Sequence, residues 1–542
     1  MVRIPHRGFL LALAGIIGAS GCTRPAKYAA RSSETDTGQS RTSDTGQFPY
    51  VSHPALGPVS RCEQPMDRPV WVERGAELGL PSRPDDGRVT GEATYIVVDD
   101  MDGDGDLDII TNPFGHAGPD HPSEPLTLHR WTGDRFNTEP QPLIEAAWQP
   151  TLADLDGDGD NDLLTPGFDF WARNDPTGFT AVPWSLLSLE KMLYVRELEA
   201  HDLDRDGQLD FFALSSHPDD DSDLGHDVFV WGPYESPSLA EDETPRPDVP
   251  GYGFDAFWLD WYGDGEPEIF VANDKGAAKA PNALLQWETD QFVNVAPGLG
   301  LDLRHDAMGA DADDFNHDGR PDLYVSATAR NVLLLSQDDG TYVDATFSLR
   351  ADPVQAGVST TPMGWSGLFM DHDNDGTLDI FTTQGDWWDS PTERETSPAT
   401  LLRFDGTAFE DVGRETGLFD EGSFRGAVAR DFNHDGILDV LVSSVFGAPR
   451  LFLSQGCTEM AWLSVIAPNS ARVRIVAGDR TWTSWSKASS GFGAHAMPVA
   501  HFGLGEIDAV DRLEWVQPGG EVLVIDGPFE PRRWVDLTPA SR

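Results

Sequence analysis

The stretch "DDMDGDGDLDIIT", residues 99–111, crowds six aspartates into ten positions and then turns apolar. A single acidic run of this kind is an ordinary solvated loop. This one recurs as "DLDGDGDNDLLTP" from Asp154, "DLDRDGQLDFFAL" from Asp202 and "DWYGDGEPEIFVA" from Asp260. It returns as "DFNHDGRPDLYVS" from Asp314, "DHDNDGTLDIFTT" from Asp371 and "DFNHDGILDVLVS" from Asp431. The shared frame is Asp, any, Asp or Asn, any, Asp, Gly, any, any, Asp, followed by apolar residues. Counted from Asp100, successive frames start 54, 48, 58, 54, 57 and 60 residues apart. Seven units at nearly constant spacing mark a repeat architecture.

Oxygen donors on alternate residues suit Ca²⁺, a hard cation that takes six to eight oxygens. Side chains one, three, five and nine can converge on one ion, with the backbone carbonyl of position seven between them. Gly at position six permits the sharp turn. The expected ligands are Asp100, Asp102, Asp104, Asp106 and Asp108 in the first loop. They are Asp154, Asp156, Asp158, Asp160 and Asp162 in the second, and Asp202, Asp204, Asp206, Gln208 and Asp210 in the third. The fifth loop offers Asp314, Asn316, Asp318, Arg320 and Asp322, and the sixth Asp371, Asp373, Asp375, Thr377 and Asp379. The seventh offers Asp431, Asn433, Asp435, Ile437 and Asp439. Without a cation such carboxylates repel and raise one another's pKa. The fourth loop keeps Asp260 and Asp264 but has Tyr262 at position three and Glu268 at position nine, so a weaker or empty site is expected. About six calcium ions, with a seventh site degenerate, follow from this count.

The loops are not EF-hands, because no Glu stands at position twelve and a short β-branched stretch follows, which reads as a strand. Plain Asp-Gly hairpin turns would explain one such loop but not six complete frames.

Each unit adds further strand signals around its loop, as in "NALLQWETDQFVNVAPGLGL" and "ATLLRFDGTAFEDVGRETGL". Four strands per unit with Gly-rich turns predict an all-β fold, a seven-bladed β-propeller at residues 61–457, followed by a small β-rich domain at 458–542. The last unit stops one strand short at "PRLFLSQGC". "PVWVERGAELGL", Pro69 to Leu80, has the form of "FVNVAPGLGL" and is expected to complete it, removing an open sheet edge. Cys62 and Cys457 flank these two segments and are expected to form a disulfide that staples the ring.

The chain has 542 residues and a net charge of −53. Six divalent ions would leave it strongly anionic, which excludes phosphate-neutralising nucleic-acid binding and adsorption to anionic lipid. Residues 1–22 read as an export signal: Arg3 and Arg7, then the apolar "GFLLALAGIIGASG", too short for a comfortable membrane span. "ASGC" resembles a bacterial lipoprotein box with Cys22 as the lipidated residue. This implies an exported outer-membrane or cell-surface lipoprotein, or otherwise a periplasmic or secreted protein. Residues 23–60, polar and rich in Ser, Thr, Gly and Pro, read as a flexible tether.

The seven loops resemble the FG-GAP or VCBS repeats of integrin α-subunit propellers and bacterial surface proteins. "HFGLG", His501 to Gly505, and "VDRLEWVQPGG", Val510 to Gly520, resemble the ASPIC/UnbV domain of the cartilage acidic protein-like family. The resemblance implies a calcium-binding propeller in an extracellular setting.

No nucleophile elbow, phosphate loop, His-Glu-x-x-His or Cys-x-x-Cys is present, so no catalytic residue is assigned. "SSGFGAH", Ser489 to His495, places Ser and His close together but reads as a turn. Loops between the second and third strands of a unit must emerge on the face opposite the acidic loops. Several are long: one holds His116 and His121, another His217 and His226, and "QGDWWDSPTERE" holds Trp387 and Trp388. Exposed loop aromatics mark recognition surfaces. The function expected is therefore binding of an extracellular protein or glycan. The alternative is a polysaccharide-degrading enzyme, a lyase or hydrolase, using the propeller funnel.

Overall fold

The computed structural model describes residues 62, 68–80, 94–113, 125–145, 149–164, 170–175, 178–183, 195–215, 227–230, 251–288, 291–357, 363–385, 397–445, 448–489, 491–517 and 519–537. Cys22, His116, His121, His217, His226, Trp387 and Trp388, with the leader and tether, lie outside them.

The described residues are built from antiparallel strands in seven successive units. The first comprises Thr94–Asp99, Asp108–Pro113, Pro125–Trp131 and Phe136–Glu145; the second Thr151–Ala153, Asp162–Leu164, Phe170–Asp175 and Gly178–Pro183. Three described strands form the third unit: Val195–His201, Asp210–Ser215 and Val228–Val230. The fourth runs from Gly253–Leu259 to Gln291–Asn294, the fifth from Ala307–Asp313 to Tyr342–Asp344 and the sixth from Gly364–Met370 to Phe409–Asp411. The seventh has Phe424–Arg430, Asp439–Ser444 and Arg450–Gln455, and takes its outer strand from the other end of the chain. That strand is Val70–Glu73, with Val70 opposite Gln455 and Glu73 opposite Phe452.

First strands pack side by side from the second unit to the seventh, the first strand of the seventh packs against that of the first, and the first and second units share a core of Val97, Ile110, Leu152 and Leu163, so the series closes on itself. Aliphatic and aromatic side chains fill the spaces between units. Leu259, Phe257 and Phe270 of the fourth meet Ala310, Leu323 and Val325 of the fifth. Trp71 of the closing strand enters the core between the sixth and seventh units and donates its indole N–H to the Leu438 carbonyl at 3.0 Å. Cys62 and Cys457 are bonded, with Cα atoms 5.3 Å apart and a sequence separation of 395.

Residues 461–536 form two packed sheets. One has the order Arg480–Trp485, Arg472–Ala477, Val510–Val516, Val522–Phe529. The other joins Arg533–Asp536, Ala461–Ile466 and Ala494–Gly505. Leu463, Val465, Phe502, Ile475, Trp482 and Leu513 are buried between them. This domain is not a free appendage. Ala494–Gly505 continues into the ring by parallel pairing, with Ile96 opposite Ala494 and Val98 opposite Ala496.

Candidate metal centres

Each acidic loop is clasped by one register pair, the residue before the frame opposite its ninth residue. The pairs are Asp99–Asp108, Ala153–Asp162, His201–Asp210, Leu259–Glu268, Asp313–Asp322, Met370–Asp379 and Arg430–Asp439. Position four is left-handed throughout, from φ 58° at Asn374 and His434 to 77° at Gly157, and position six is a left-handed Gly in all seven. That backbone aims the amides of positions five and six at the first carboxylate. In the first loop Asp104 N–H and Gly105 N–H donate to Asp100 at 3.0 and 2.9 Å. Equivalent bonds hold Asp154, Asp260, Asp314, Asp371 and Asp431, while Asp202 receives the Gly207 amide.

The ninth carboxylate ties its loop to the third strand. Asp108 accepts from Trp131 N–H at 2.7 Å, Asp162 from Asn174 at 2.8 Å and Asp322 from Ser336 at 2.7 Å. Asp379 accepts from Phe404 and Asp439 from Ser454 in the same way. In these five units the ninth aspartate thus ties loop to sheet before any ion is considered.

The carboxylates converge. Ligand atoms of Asp100, Asp102 and Asp104 lie within 4.8 Å of one another, as do those of Asp154, Asp156 and Asp162, of Asp202, Asp204 and Asp206, and of Asp371, Asp373 and Asp375. Asn316 and Asn433 supply amide oxygens at position three of the fifth and seventh loops. Burial, reinforced by neighbouring carboxylates, pushes Asp108, Asp162, Asp314 and Asp322 up to about 7. Burial with like-charge neighbours drives Asp371, Asp431 and Asp439 well above the carboxylate range. Asp160 Oδ1 and Asp202 Oδ1 are buried without a hydrogen-bond donor. An all-oxygen donor set with repelling carboxylates fits a hard divalent cation at the first, second, third and sixth loops, and the fifth and seventh keep the same frame with Asn at position three.

The fourth loop does not fit. Tyr262 packs against the neighbouring hydrophobic core instead of offering a carboxylate. Glu268 turns to the Trp261 amide and the Gln286 side chain, each at 3.1 Å, and burial pushes it to about 9.

Two features were not read from the sequence. His372, between two aspartates of the sixth loop, bonds Asp379 through Nδ1. More consequentially, the C-terminal domain sits on the acidic-loop face. Trp485 Nε1 donates to the Asp260 carbonyl at 2.9 Å, and Lys487 Nζ meets Asp311 at 2.6 Å. His501 Nδ1 bonds Ser464 Oγ at 2.8 Å and its Nε2 bonds Asn374 Oδ1 at 2.9 Å. A Cβ on Gly503 would lie 1.8 Å from an Asp371 carboxylate oxygen, so this approach requires glycine.

The segment expected to be a turn, "SSGFGAH", also enters the ring. Gly491 N–H donates to the Ala310 carbonyl at 3.1 Å, Gly493 N–H to Gln149 Oε1 at 3.0 Å, and Gly493 accepts from Ile96 N–H at 3.1 Å. Phe492 is buried among Tyr95, Phe254, Met308 and Trp365, contributed by first strands of four units. Phe492 thus packs where first strands of these four units meet. A cavity of about 50 Å³ beside Arg430, Lys487, Ser464 and His501 has room for a few waters.

The family comparisons agree with this architecture. The FG-GAP-like repeat model matches residues 100–165, 260–325 and 314–382, and the ASPIC and UnbV model matches 469–527. The chain carries FG-GAP-like repeats and an ASPIC and UnbV domain. It is homologous to cartilage acidic protein 1: 28% identical to the Homo sapiens protein over 279 residues, 47% of this chain and 39% of that protein. The Mus musculus protein is 27% identical over 277 residues, 47% of this chain and 40% of that one. The matched region thus spans about two fifths of these relatives. Among solved structures, an Agrocybe aegerita lectin that recognises non-reducing terminal N-acetylglucosamine aligns at 15% identity and TM-score 0.29, over 66% of this chain and 76% of that one. The extracellular domain of a hybrid two component system from B. thetaiotaomicron aligns at 10% identity and TM-score 0.38, over 85% and 59%.

Proposed function

We propose that this FG-GAP-repeat protein is an exported, calcium-stabilised binding module for an extracellular protein or glycan. The observation that carries the reading is the repetition of one carboxylate frame in six loops, five of them tied to the third strand of their unit by the same hydrogen bond. Asp100 to Asp108 and the corresponding residues of the second, third, fifth, sixth and seventh loops would hold the ions. When bound, calcium supplies charge neutralisation, which lets buried carboxylates stay ionised. Export is supported by the Cys62–Cys457 disulfide, since such bonds persist in oxidising compartments. Cys22 would carry the anchor.

The contacts of the C-terminal domain with the third to seventh acidic loops support a ligand surface elsewhere on the protein, and Trp387, Trp388, His116 and His121 remain the candidates named from the sequence. The test is a glycan and protein binding panel with Trp387→Ala and Trp388→Ala, together with turnover on polysaccharides. Binding lost in the variants without turnover supports the module. Turnover by the wild-type protein would replace it with an enzyme.

A further inference from the structure

Several acidic loops are linked to the next one in the ring, and the fourth is linked to the fifth through the C-terminal domain. Where position four carries a side chain, it reaches the next loop in the ring. Arg205 of the third loop pairs with Glu266 of the fourth. His317 of the fifth bonds the backbone of Gly376 in the sixth. Asn374 of the sixth donates from Nδ2 to the Gly436 carbonyl of the seventh at 2.8 Å, and His434 of the seventh bonds Asp106 of the first at 2.9 Å. Position four is glycine in the first, second and fourth loops, and at Gly263 there is no side chain to send to the fifth.

Arg472 of the C-terminal domain fills that place. A Cβ on Gly263 would lie 2.1 Å from one terminal guanidinium nitrogen, so the arginine occupies the volume a side chain would need. Its other terminal nitrogen donates to the Gly319 carbonyl of the fifth loop at 2.6 Å, the same loop position that Asn374 reaches in the seventh. The chain around it is pinned to the fourth loop: Asp260 N–H donates to the Ser470 carbonyl and Gly519 N–H to the Gly265 carbonyl, both at 3.2 Å. The loop beneath lacks a carboxylate at position three and still presents Asp260 and Asp264.

We infer that the Arg472 guanidinium is the resident cation of the fourth loop, replacing both the missing linking side chain and the calcium ion. The inference rests on the calcium reading of the other six loops for its contrast, but not for Arg472's own role. A guanidinium offers a permanent charge and several fixed donors: one donor bonds the Gly319 carbonyl, and the charge stands beside Gly263 in a loop whose carboxylates are Asp260 and Asp264.

Equilibrium dialysis of the full chain against calcium, read by elemental analysis, tests it. The wild type should hold six ions, Tyr262→Asp still six, and Tyr262→Asp with Arg472→Met seven. Seven ions in the wild type or in Tyr262→Asp alone would overturn the inference, as would no gain in the double variant. The second readout is melting in chelator. Arg472→Met should melt several degrees lower than wild type without any metal, and Arg472→Lys should recover part of the loss. Equal melting of Arg472→Met and wild type in chelator would overturn it. Should the wild type hold no calcium, the reading of the six loops fails, and the chelator melts still decide the role of Arg472.

Discussion

His434 and Asp106 stand 328 residues apart in the chain and 2.9 Å apart in the ring, where the last acidic loop meets the first. The contact closes at the loop level what Val70–Glu73 closes at the sheet level. Both closures join distant parts of the chain, so the units share one cooperative structure.

Loss of the staple should be felt at the closing strand. Cys62→Ser is expected to cost about 2–4 kcal/mol in denaturant unfolding, the usual range for a native disulfide. Unchanged stability would mean that strand pairing and Trp71 hold the closure alone.

The axial segment should behave as core. Phe492→Ala is expected to destabilise by about 3–5 kcal/mol, as aromatic truncations in packed interiors do. Gly426→Ala should also be costly, since its Cβ would meet the Gly493 carbonyl oxygen at 2.7 Å, whereas Gly340→Ala, with open space around it, carries only the cost of its positive φ. Thermal melts of the three variants separate these effects.

His501 and Asn374 couple the two domains across the sixth loop. A double-mutant cycle with His501→Ala and Asn374→Ala should return a coupling of about 1–2 kcal/mol. Additive losses would show that the contact is incidental.

Acid should weaken the fold through a buried imidazole. Burial, with Arg430 adding to it, holds His495 down to about 3. The unfolded chain therefore takes up a proton near pH 6.5 that the folded chain refuses. The stability from a neutral His495 is present in full above pH 6.5 and is lost as pH falls toward 3. His495→Gln removes this dependence, so the gap in stability between wild type and variant should shrink by up to about 1.4 kcal/mol per pH unit below 6.5. A gap constant from pH 7 to 5 would contradict the assignment.

The ring was legible because its determinants repeat. Asp at one, five and nine and Gly at six each do a separate geometric job, and seven copies average out local departures. The closing strand and the disulfide were legible because an incomplete unit at one end matched a spare strand at the other. Docking of the C-terminal domain was not legible. It depends on single contacts such as Arg472 with Gly319, Trp485 with Asp260 and Gly503 against Asp371, which have no period. "SSGFGAH" read as a turn, and its two glycines are indeed left-handed at φ 76° and 74°. Nothing local shows that the turn lies on the ring axis, because its partners Tyr95 and Met308 come from other units.

The most direct measurement of the central claim is anomalous diffraction from crystals grown in calcium. The account predicts six peaks, each about 2.3–2.6 Å from carboxylate oxygens of the first, second, third, fifth, sixth and seventh loops, and none at the fourth. Crystals with no peaks at those six loops would contradict it.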